Sequence, residues 1–543
     1  MAEPRSLGAR LTLVAMRCPS GNGAAVRMLV SGLGLATAVY SYVALVLSWR
    51  LLSEVDAGLT PSQSAMLFVA TASGALVGQV AFGDLADRRG RGLALCGTAA
   101  LMLFGAAGCA LAGLLGHMMG LRSMQALCVE LAVWNFLLGL GMGGEYPVAA
   151  AYIVEQAAAY AAGSARPLAG SYLHMGLGQL LASLMVVACL SLRLPTGATW
   201  RLSLILASLL ALATFVVRVY CARETQLFID HGAAGTSGHR AGLALACSSS
   251  RHLCRTLFGT SSSWFLLGFA GCGLNLRSAT TALMHGETGM GKAVVTLLAT
   301  LMGLPGYVAA CALVRYSRRI CQLAGFVVMA LLFAGFAIVV EVPEARGLQI
   351  ALYAMLEMAS AGGAGATAHF VPAEVFPTCV RSSCLGLSAL AGGLGTAVGS
   401  ALLPELASAA GPPVACVACT LACGLGAACT ALLTPRYNRQ TILALAPLGP
   451  GKDVRECTLE ALERGAQFKQ CPSCEVMVER EGGCNVITCV NCQDVWCFAC
   501  GGRGCRAWMC SGVEVTSPDL ETMPRLLWPG TEQDRSVPLV VRS

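Results

Sequence analysis

The chain is poor in charge, because Asp, Glu, Lys and Arg make up only 12% of its 543 residues. A soluble globular chain carries about twice that fraction, roughly 25%. Hydrophobic residues account for 56%, and the mean hydropathy is +0.67. So few polar residues could not cover a large buried helical core, which excludes an ordinary soluble protein.

The apolar residues are gathered into twelve stretches, each about long enough to cross a bilayer. A bilayer core is about 30 Å thick and needs roughly 20 mostly apolar helical residues. The sequence therefore predicts an all-α membrane protein with twelve transmembrane helices. We expect them at about 27–50, 62–83, 93–116, 124–154, 167–192, 199–220, 256–276, 291–314, 320–341, 347–371, 383–405 and 413–433.

Polar segments divide the chain into two groups of six helices and a cysteine-rich tail. Two six-helix halves around a midplane site are typical of alternating-access transporters. We expect a cytosolic tail over 1–26, a first half over 27–220, a cytosolic linker over 221–255, a second half over 256–434, a linker over 435–460, a cysteine-rich module over 461–512 and a disordered tail over 513–543.

Arginine placement predicts the orientation, because cytosolic loops carry an excess of positive charge. Arginines are concentrated in alternate loops, whereas the loop between spans 1 and 2 carries Glu54 and Asp56. A multi-pass protein with both termini cytosolic is therefore expected. The net charge of +7 reflects this bias and needs no nucleic-acid partner. The arginines on the cytosolic side are Arg88, Arg89, Arg91, Arg218, Arg223, Arg240, Arg251, Arg255, Arg315, Arg318, Arg319 and Arg381.

The loop between spans 2 and 3 reads GDLADRRGR over 83–91. Its glycines permit a tight turn, and its charges can pair across the cytosolic face. This loop resembles the signature loop of the major facilitator superfamily. The resemblance implies a gating role for Gly83, Asp87, Arg88, Gly90 and Arg91. A cytosolic charge cluster of Glu155, Glu374 and Arg381 is expected to open and close with the halves.

Two further segments narrow the family. Residues 139–147 read GLGMGGEYP, and residues 371–377 read VPAEVFP. Together with Gln79 and segment 223–225 they resemble the phosphate:proton symporter branch and its sugar-porter-like relatives. The resemblance covers about residues 27–434 and implies a secondary transporter of a small solute, coupled to protons.

The chain departs from that branch at most substrate-binding positions. The two aspartates of span 1 fall on Ala38 and Ser41, and the aspartate of span 7 falls on Gly268. The asparagine of span 10 falls on Gly365 and the lysine of span 11 on Gly393. These losses predict a less polar and wider cavity than a phosphate site.

Four residues of the family pattern remain as candidates for substrate or proton binding. Glu145 stands in place of an aspartate and is the best single proton site, because an ionisable group inside a membrane is costly and usually functional. A structural carboxylate bonded to its neighbours is the equally weighted alternative. The four candidates are Glu145, Tyr146, Trp264 and Asn275.

The tail after residue 461 has the spacing of zinc knuckles. Paired CxxC motifs at this density indicate zinc, and a reducing cytosolic tail disfavours disulfides. We expect two ions, each held by four thiolates, and metal binding to supply the folding energy. One set is Cys471, Cys474, Cys489 and Cys492; the other is Cys497, Cys500, Cys505 and Cys510.

The tail resembles the zinc-binding catalytic module of RING-between-RING ubiquitin ligases. Cys484 is left over from the zinc count and sits where that module keeps its thioester cysteine. The family histidine two residues later is Val486, and no histidine follows His369. A thiol nucleophile needs a base or a lowered pKa, so we expect a protein-interaction module rather than an active enzyme.

The leading interpretation is a bilayer-embedded secondary transporter, not an enzyme, whose ligands are a small solute and a proton. One alternative is a non-transporting receptor or scaffold that binds a cytosolic protein through its zinc module. The other is a membrane-tethered ubiquitin ligase that binds ubiquitin and uses Cys484.

Overall fold

The computed structural model describes most of the membrane region and short pieces of the tail. The described residues are 23–52, 59–113, 124–158, 165–222, 224–225, 228–229, 251–274, 289–313, 317–376, 378–434, 467–470, 477–480, 486–488, 495–497 and 540–541.

Helices make up nearly all of the described chain. Those of the first half are α1 (Gly23–Leu52), α2 (Pro61–Arg89), α3 (Arg91–Leu111), α4 (Met124–Ala158), α5 (Ala165–Ser191) and α6 (Thr196–Cys221). Those of the second half are α7 (Arg251–Leu274), α8 (Gly289–Leu313), α9 (Arg318–Val339), α10 (Arg346–Ala359), α11 (Ala366–Val375), α12 (Arg381–Ala410) and α13 (Pro412–Leu433).

Ten of the described helices are long and apolar enough to cross a membrane. The helix α7 is not among the ten, and it carries three consecutive serines at 261–263. The tenth predicted span is not among them either. It is divided into α10, a π-helical segment Ser360–Gly365 and α11.

The division of the tenth span follows from its sequence, SAGGAG. Glycine disfavours a regular helix interior, and π-helical turns often occur at functional sites. A Cβ at Gly363 would come within 2.8 Å of the Cα of Gly325 on α9. The irregular segment therefore lies close against a neighbouring helix.

Several helix ends differ from the predicted boundaries. Helix α1 begins at Gly23, inside the predicted tail, and α7 begins at Arg251, inside the predicted linker 221–255. Hydropathy marks where apolar residues stop, whereas a helix can continue into the polar region beyond the membrane.

Close helix packing in the first half depends on the glycines of α4. A Cβ at Gly139 would come within 2.3 Å of the carbonyl oxygen of Thr71, and one at Gly143 within 2.0 Å of that of Ala75. Both contacts are to α2. Small residues that let backbones approach are typical of helix pairs in lipid.

The two halves contact each other through a few helix pairs. Helix α2 packs against α12, and α5 packs against α8; α4 also contacts α11 and α12. These pairs place α4 and α11 beside the plane between the halves.

The described part of the tail consists of short strands. Strands β1 (Gln467–Gln470) and β2 (Met477–Arg480) are antiparallel, as are β3 (Val486–Thr488) and β4 (Val495–Cys497). A two-residue strand, β5 (Val540–Val541), lies parallel to β2.

Candidate functional site

Glu145 forms a bidentate ion pair with Arg218. Nη1 of Arg218 donates to Oε2 of Glu145 at 2.8 Å, and Nη2 contacts Oε1. The hydroxyl of Thr98 also donates to Oε2, at 2.8 Å. Both charged side chains are fully buried. Two charges can remain in an apolar interior when they are paired and their other hydrogen-bonding groups are satisfied.

The surroundings of the Glu145–Arg218 pair all come from the first half. Arg218 donates to the carbonyl oxygen of Leu95 at 2.8 Å and to that of Val30 at 3.4 Å. A Cβ at Gly34 would lie 1.8 Å from Nη2 of Arg218, so the pair needs a glycine there. The pair therefore connects α1, α3, α4 and α6.

Arg218 was counted above among the arginines of the cytosolic loops, and this placement in a loop is wrong. Arg218 lies inside α6 and is fully buried. Charge counting assigned it to the loop because it stands near the end of an apolar run. Its role depends on Glu145, which is 73 residues earlier in the chain.

A charged cluster of Asp87, Arg91, Glu155 and Arg381 joins the two halves at one end. Nη2 of Arg91 lies 3.0 Å from Oδ1 of Asp87 and 3.1 Å from Oε1 of Glu155. Nη1 of Arg381 lies 2.8 Å from the same Glu155 oxygen. All four side chains are buried. The first three belong to the first half, and Arg381 begins α12.

Asp87 also binds the N-terminus of α12 directly. Its Oδ1 accepts from the backbone N–H of Ser382 at 3.1 Å, and its Oδ2 accepts from that of Ser383 at 2.7 Å. Arg91 donates to the carbonyl oxygen of Thr378 at 2.6 Å. A carboxylate at a helix N-terminus satisfies free N–H groups and is stabilised by the helix dipole.

Glu224 completes this end of the first half. It accepts from the backbone N–H groups of Arg91 at 3.0 Å and Gly92 at 3.1 Å, at the start of α3. Gly90 has φ of 109°, and a Cβ there would come within 2.3 Å of the Glu224 carboxylate. The sequence motif at 223–225 does not predict this contact, because Glu224 and the start of α3 are more than 130 residues apart in the chain.

The other predicted gating residues are placed differently. Arg88 is exposed and pairs with Asp84 at 2.8 Å, four residues earlier. Glu374 pairs with Arg318 of α9 at 3.2 Å. Gly83 belongs to the interface, because a Cβ there would come within 2.6 Å of the carbonyl oxygen of Ser382.

An aromatic cluster of Tyr146, Tyr172, Trp264, Tyr307 and His369 lies between the halves. The His369 ring centroid is 5.9 Å from those of Tyr146 and Tyr172 and 6.3 Å from that of Trp264. Tyr172 lies 4.9 Å from Tyr307. Five different helices supply these rings, two from the first half and three from the second.

His369 is the unsatisfied member of this cluster. It is only 2% exposed, and within the described part of the chain neither ring nitrogen has a hydrogen-bond partner. The His369 ring is therefore packed, but its nitrogens are unsatisfied among the described residues. Asn275, the fourth candidate for substrate or proton binding, lies outside the described residues.

The glycines that replace the family's polar residues allow close packing. A Cβ at Gly268 would come within 2.3 Å of the carbonyl oxygen of Gly392, and one at Gly365 within 2.4 Å of that of Ser360. At Gly393 a Cβ would come within 2.6 Å of Cδ2 of Leu76. The positions are less polar, as expected, but neighbouring groups fill the space that was expected to widen the cavity.

Most of the predicted zinc ligands lie outside the described residues. Cys497 in β4 is the exception and is buried, with its Cα paired to that of Val486 in β3. No group of three or more metal-ligating side chains occurs among the residues that the structure describes. Cys484 also lies outside the described residues.

The comparison with protein families matches residues 28–232 and 266–442 to the family described as "Sugar (and other) transporter". The match covers well over half of the chain and ends before the cysteine-rich tail.

Among known proteins, the chain is 28% identical over 452 residues to the probable inorganic phosphate transporter 1-6 of Arabidopsis thaliana. That alignment covers 71% of this chain and 86% of the relative. The chain is also 28% identical over 443 residues to the inorganic phosphate transporter 1-6 of Oryza sativa subsp. japonica. This second alignment covers 69% of the chain and 80% of that relative.

Among solved structures, the chain resembles the major facilitator superfamily proton:xylose symporter XylE bound to 6-bromo-6-deoxy-D-glucose. The TM-score is 0.62 at 17% identity, covering 77% of this chain and 97% of that one. A partially occluded inward open conformation of XylE from E. coli gives a TM-score of 0.57, at 17% identity, covering 76% and 98%. These likenesses establish the fold.

Proposed function

The chain belongs to the sugar (and other) transporter family, and we propose that it moves a small solute across a membrane by alternating access of two six-helix halves. It is a secondary active transporter of the major facilitator superfamily. The proposal adds α7 and the composite segment α10–α11 to the ten apolar helices, giving twelve spans with both termini cytosolic.

The charged cluster carries this proposal. Three members belong to the first half, whereas Arg381 and the N–H groups of Ser382 and Ser383 belong to the second. Rocking of the halves would break these contacts together. We propose that the cluster is the cytosolic gate, closed in this conformation, with Gly83 and Gly90 giving it room.

We propose that Glu145 is the coupling proton site. Protonation would end its ion pair, while Arg218 would keep the carbonyl oxygens of Leu95 and Val30 as acceptors. An ion pair that one proton can break is a two-state element within the first half. Tyr146, next to Glu145 in the chain, belongs to the aromatic cluster and would transmit the change.

Phosphate, which the curated relatives are named for, is a poor fit to the described residues. Ser41 donates to the carbonyl oxygen of Thr37 at 2.8 Å, and Arg218 is committed to Glu145. An anion that enters an apolar site needs cations or N–H donors to replace water. We propose a solute other than high-affinity phosphate.

We propose that the tail binds two zinc ions through the cysteines named above. In each of the two antiparallel pairs, six residues separate the first strand from the second: 471–476 between β1 and β2, and 489–494 between β3 and β4. Cysteines occupy the first and fourth position of both segments, which is the spacing of zinc knuckles. A cytosolic protein partner is proposed for this module; ubiquitin transfer through Cys484 is the less favoured alternative.

Proton-driven uptake into reconstituted vesicles tests the transport proposal. A transporter concentrates at least one solute from a panel of sugars, anions and organic cations when a pH gradient is imposed. A receptor or scaffold concentrates none of them.

A further inference from the structure

The aromatic cluster between the halves has the composition of a ligand site. Tyr146 and Tyr172 come from the first half, and Trp264, Tyr307 and His369 come from the second. Alternating access separates these two groups of rings and brings them together again. A solute held between them would therefore be exposed and enclosed by the same movement.

The two ring nitrogens of His369 lack a partner among the described residues, although the side chain is 2% exposed. A buried polar group without a partner is destabilising, and native proteins seldom retain one without a functional reason. A neutral imidazole offers one N–H donor and one nitrogen acceptor. A ligand that donates a hydrogen bond would satisfy that acceptor.

Two acidic side chains, Glu145 and Glu357, occur close to the rings in the fold. Glu145 directly precedes Tyr146 in the chain. Glu357 belongs to α10, which packs against α8 beside Tyr307, since a Cβ at Gly306 would come within 2.3 Å of the carbonyl oxygen of Met358. Glu145 is neutralised by Arg218, whereas Glu357 accepts a 2.8 Å hydrogen bond from the neutral hydroxyl of Tyr353. Within the described part of the chain, no ion pair is found for Glu357.

Two arginines are associated with these acids but do not belong to the aromatic cluster: Arg218 pairs with Glu145, and Arg50 donates to the hydroxyl of Thr296 at 3.3 Å. The arginines that stack on rings do so outside the cluster, Arg91 on Phe228 and Arg201 on Trp200. An anionic solute would therefore lose its hydration without gaining a counter-charge.

We propose that the aromatic cluster binds a small organic ammonium ion as the transported solute. The aromatic faces attract a cation through their quadrupoles. The ammonium N–H groups donate to the free ring nitrogen of His369, and the Glu357 carboxylate provides the opposite charge. This inference rests on the proposed transport function, because the site forms when the halves separate.

Equilibrium dialysis of the purified full-length chain tests the proposal with three radiolabelled probes of one shape. They are phenethylammonium, its neutral counterpart phenethyl alcohol and the anion phenylacetate. We expect saturable binding of phenethylammonium alone. His369→Phe keeps a ring but removes both nitrogens, and it should weaken binding at least tenfold.

Two further variants complete the test. Glu357→Gln keeps the hydrogen-bonding shape, removes the charge and should also weaken phenethylammonium binding about tenfold. It decides the matter if His369→Phe does not fold. The matched control is His174→Phe, since His174 lies outside the cluster with its Nδ1 2.7 Å from the carbonyl oxygen of Gly170. That control should bind phenethylammonium as the parent does.

The proposal is overturned if phenylacetate binds better than phenethylammonium, if no probe binds, or if folded variants at 369 and 357 bind as the parent does. Equilibrium dialysis measures binding to the purified chain and does not depend on transport. Uptake of another solute with no ammonium binding counts against this site alone, whereas ammonium binding without any uptake counts against the transport function.

Discussion

Oδ2 of Asp87 accepts a hydrogen bond of 2.7 Å from the backbone N–H of Ser383, and this bond crosses from the first half to the second. The neighbouring oxygen binds Ser382, and the same carboxylate contacts Arg91. One side chain thus combines helix capping with an ion pair. Because the two bonds to Ser382 and Ser383 are lost when the halves part, Asp87 stabilises the closed end.

We expect Asp87→Asn to favour opening of this end. An amide keeps the size but loses the charge that pairs with Arg91 and with the N-terminus of α12, where caps and dipole interactions are each worth about 1 kcal/mol. Maleimide labelling of half-buried Cys379, followed by mass spectrometry, should become several-fold faster. Asp84→Asn is the matched control, because Asp84 pairs only locally with Arg88 at the surface. Equal labelling in both variants would remove Asp87 from the gate.

The pair of Glu145 and Arg218 predicts an asymmetric response to mutation. Arg218→Leu leaves a buried carboxylate without its cation and should lower stability by about 3–5 kcal/mol. Adding Glu145→Gln to that variant should recover much of the loss, since no charge then remains. Thermal denaturation in detergent measures both. If the double variant is no more stable than Arg218→Leu alone, the unpaired charge of Glu145 is not the cause of the instability, and this prediction is contradicted.

Glu145→Gln should abolish uptake driven by a pH gradient, because a glutamine cannot take up or release the coupling proton. Because the variant also leaves Arg218 buried without its anion, its uptake is compared with that of the parent at equal amounts of folded protein. The matched control is Glu130→Gln; Glu130 caps the N–H of Gly113 at 3.0 Å, outside the Glu145–Arg218 pair. Unchanged proton-driven uptake in the Glu145 variant would exclude it from coupling.

High-affinity phosphate transport should be absent. Ala38, Ser41, Gly268, Gly365 and Gly393 occupy positions where the resembled branch carries polar groups, and the glycines contact other helices instead. Radiolabelled phosphate uptake should match that of protein-free vesicles. Saturable uptake in the micromolar range would mean that other groups bind the anion.

The full-length chain should carry two zinc ions, measured by elemental analysis. Cys471→Ser should lose one, because a site of three thiolates holds the metal poorly. Cys484→Ala should lose no zinc. We expect ubiquitin to attach neither to the parent chain nor to this variant. A lost ion in the Cys484 variant would refute the ligand assignment, and a reducible ubiquitin adduct on Cys484 would favour the ligase interpretation.

Local sequence patterns predict the membrane-spanning helices and the charged loop between the second and third of them. Apolar length located ten helices, and the turn at Gly90 followed from its motif, because both features depend on neighbouring residues. The division at Ser360 was not predicted, since hydropathy does not distinguish a π-helical segment from a regular helix. Likewise, the bounds of α1 and α7 depend on helix continuation beyond the apolar core.

Long-range partners were less accessible to sequence reasoning. Glu155 and Arg381 were expected together and do pair, whereas Glu374 pairs with Arg318 of another helix. The burial of Arg218, and the lack of hydrogen-bond partners for His369 among the described residues, depend on helices far apart in sequence. Such contacts require the fold before they can be seen.

The most direct test of alternating access is proton-driven uptake of the solute panel, including phenethylammonium, into vesicles containing the full-length chain. We predict that at least one solute accumulates above its external concentration while the pH gradient lasts, and that a protonophore abolishes the accumulation. If every solute enters as slowly as it enters protein-free vesicles, with or without the gradient, the chain is not a transporter.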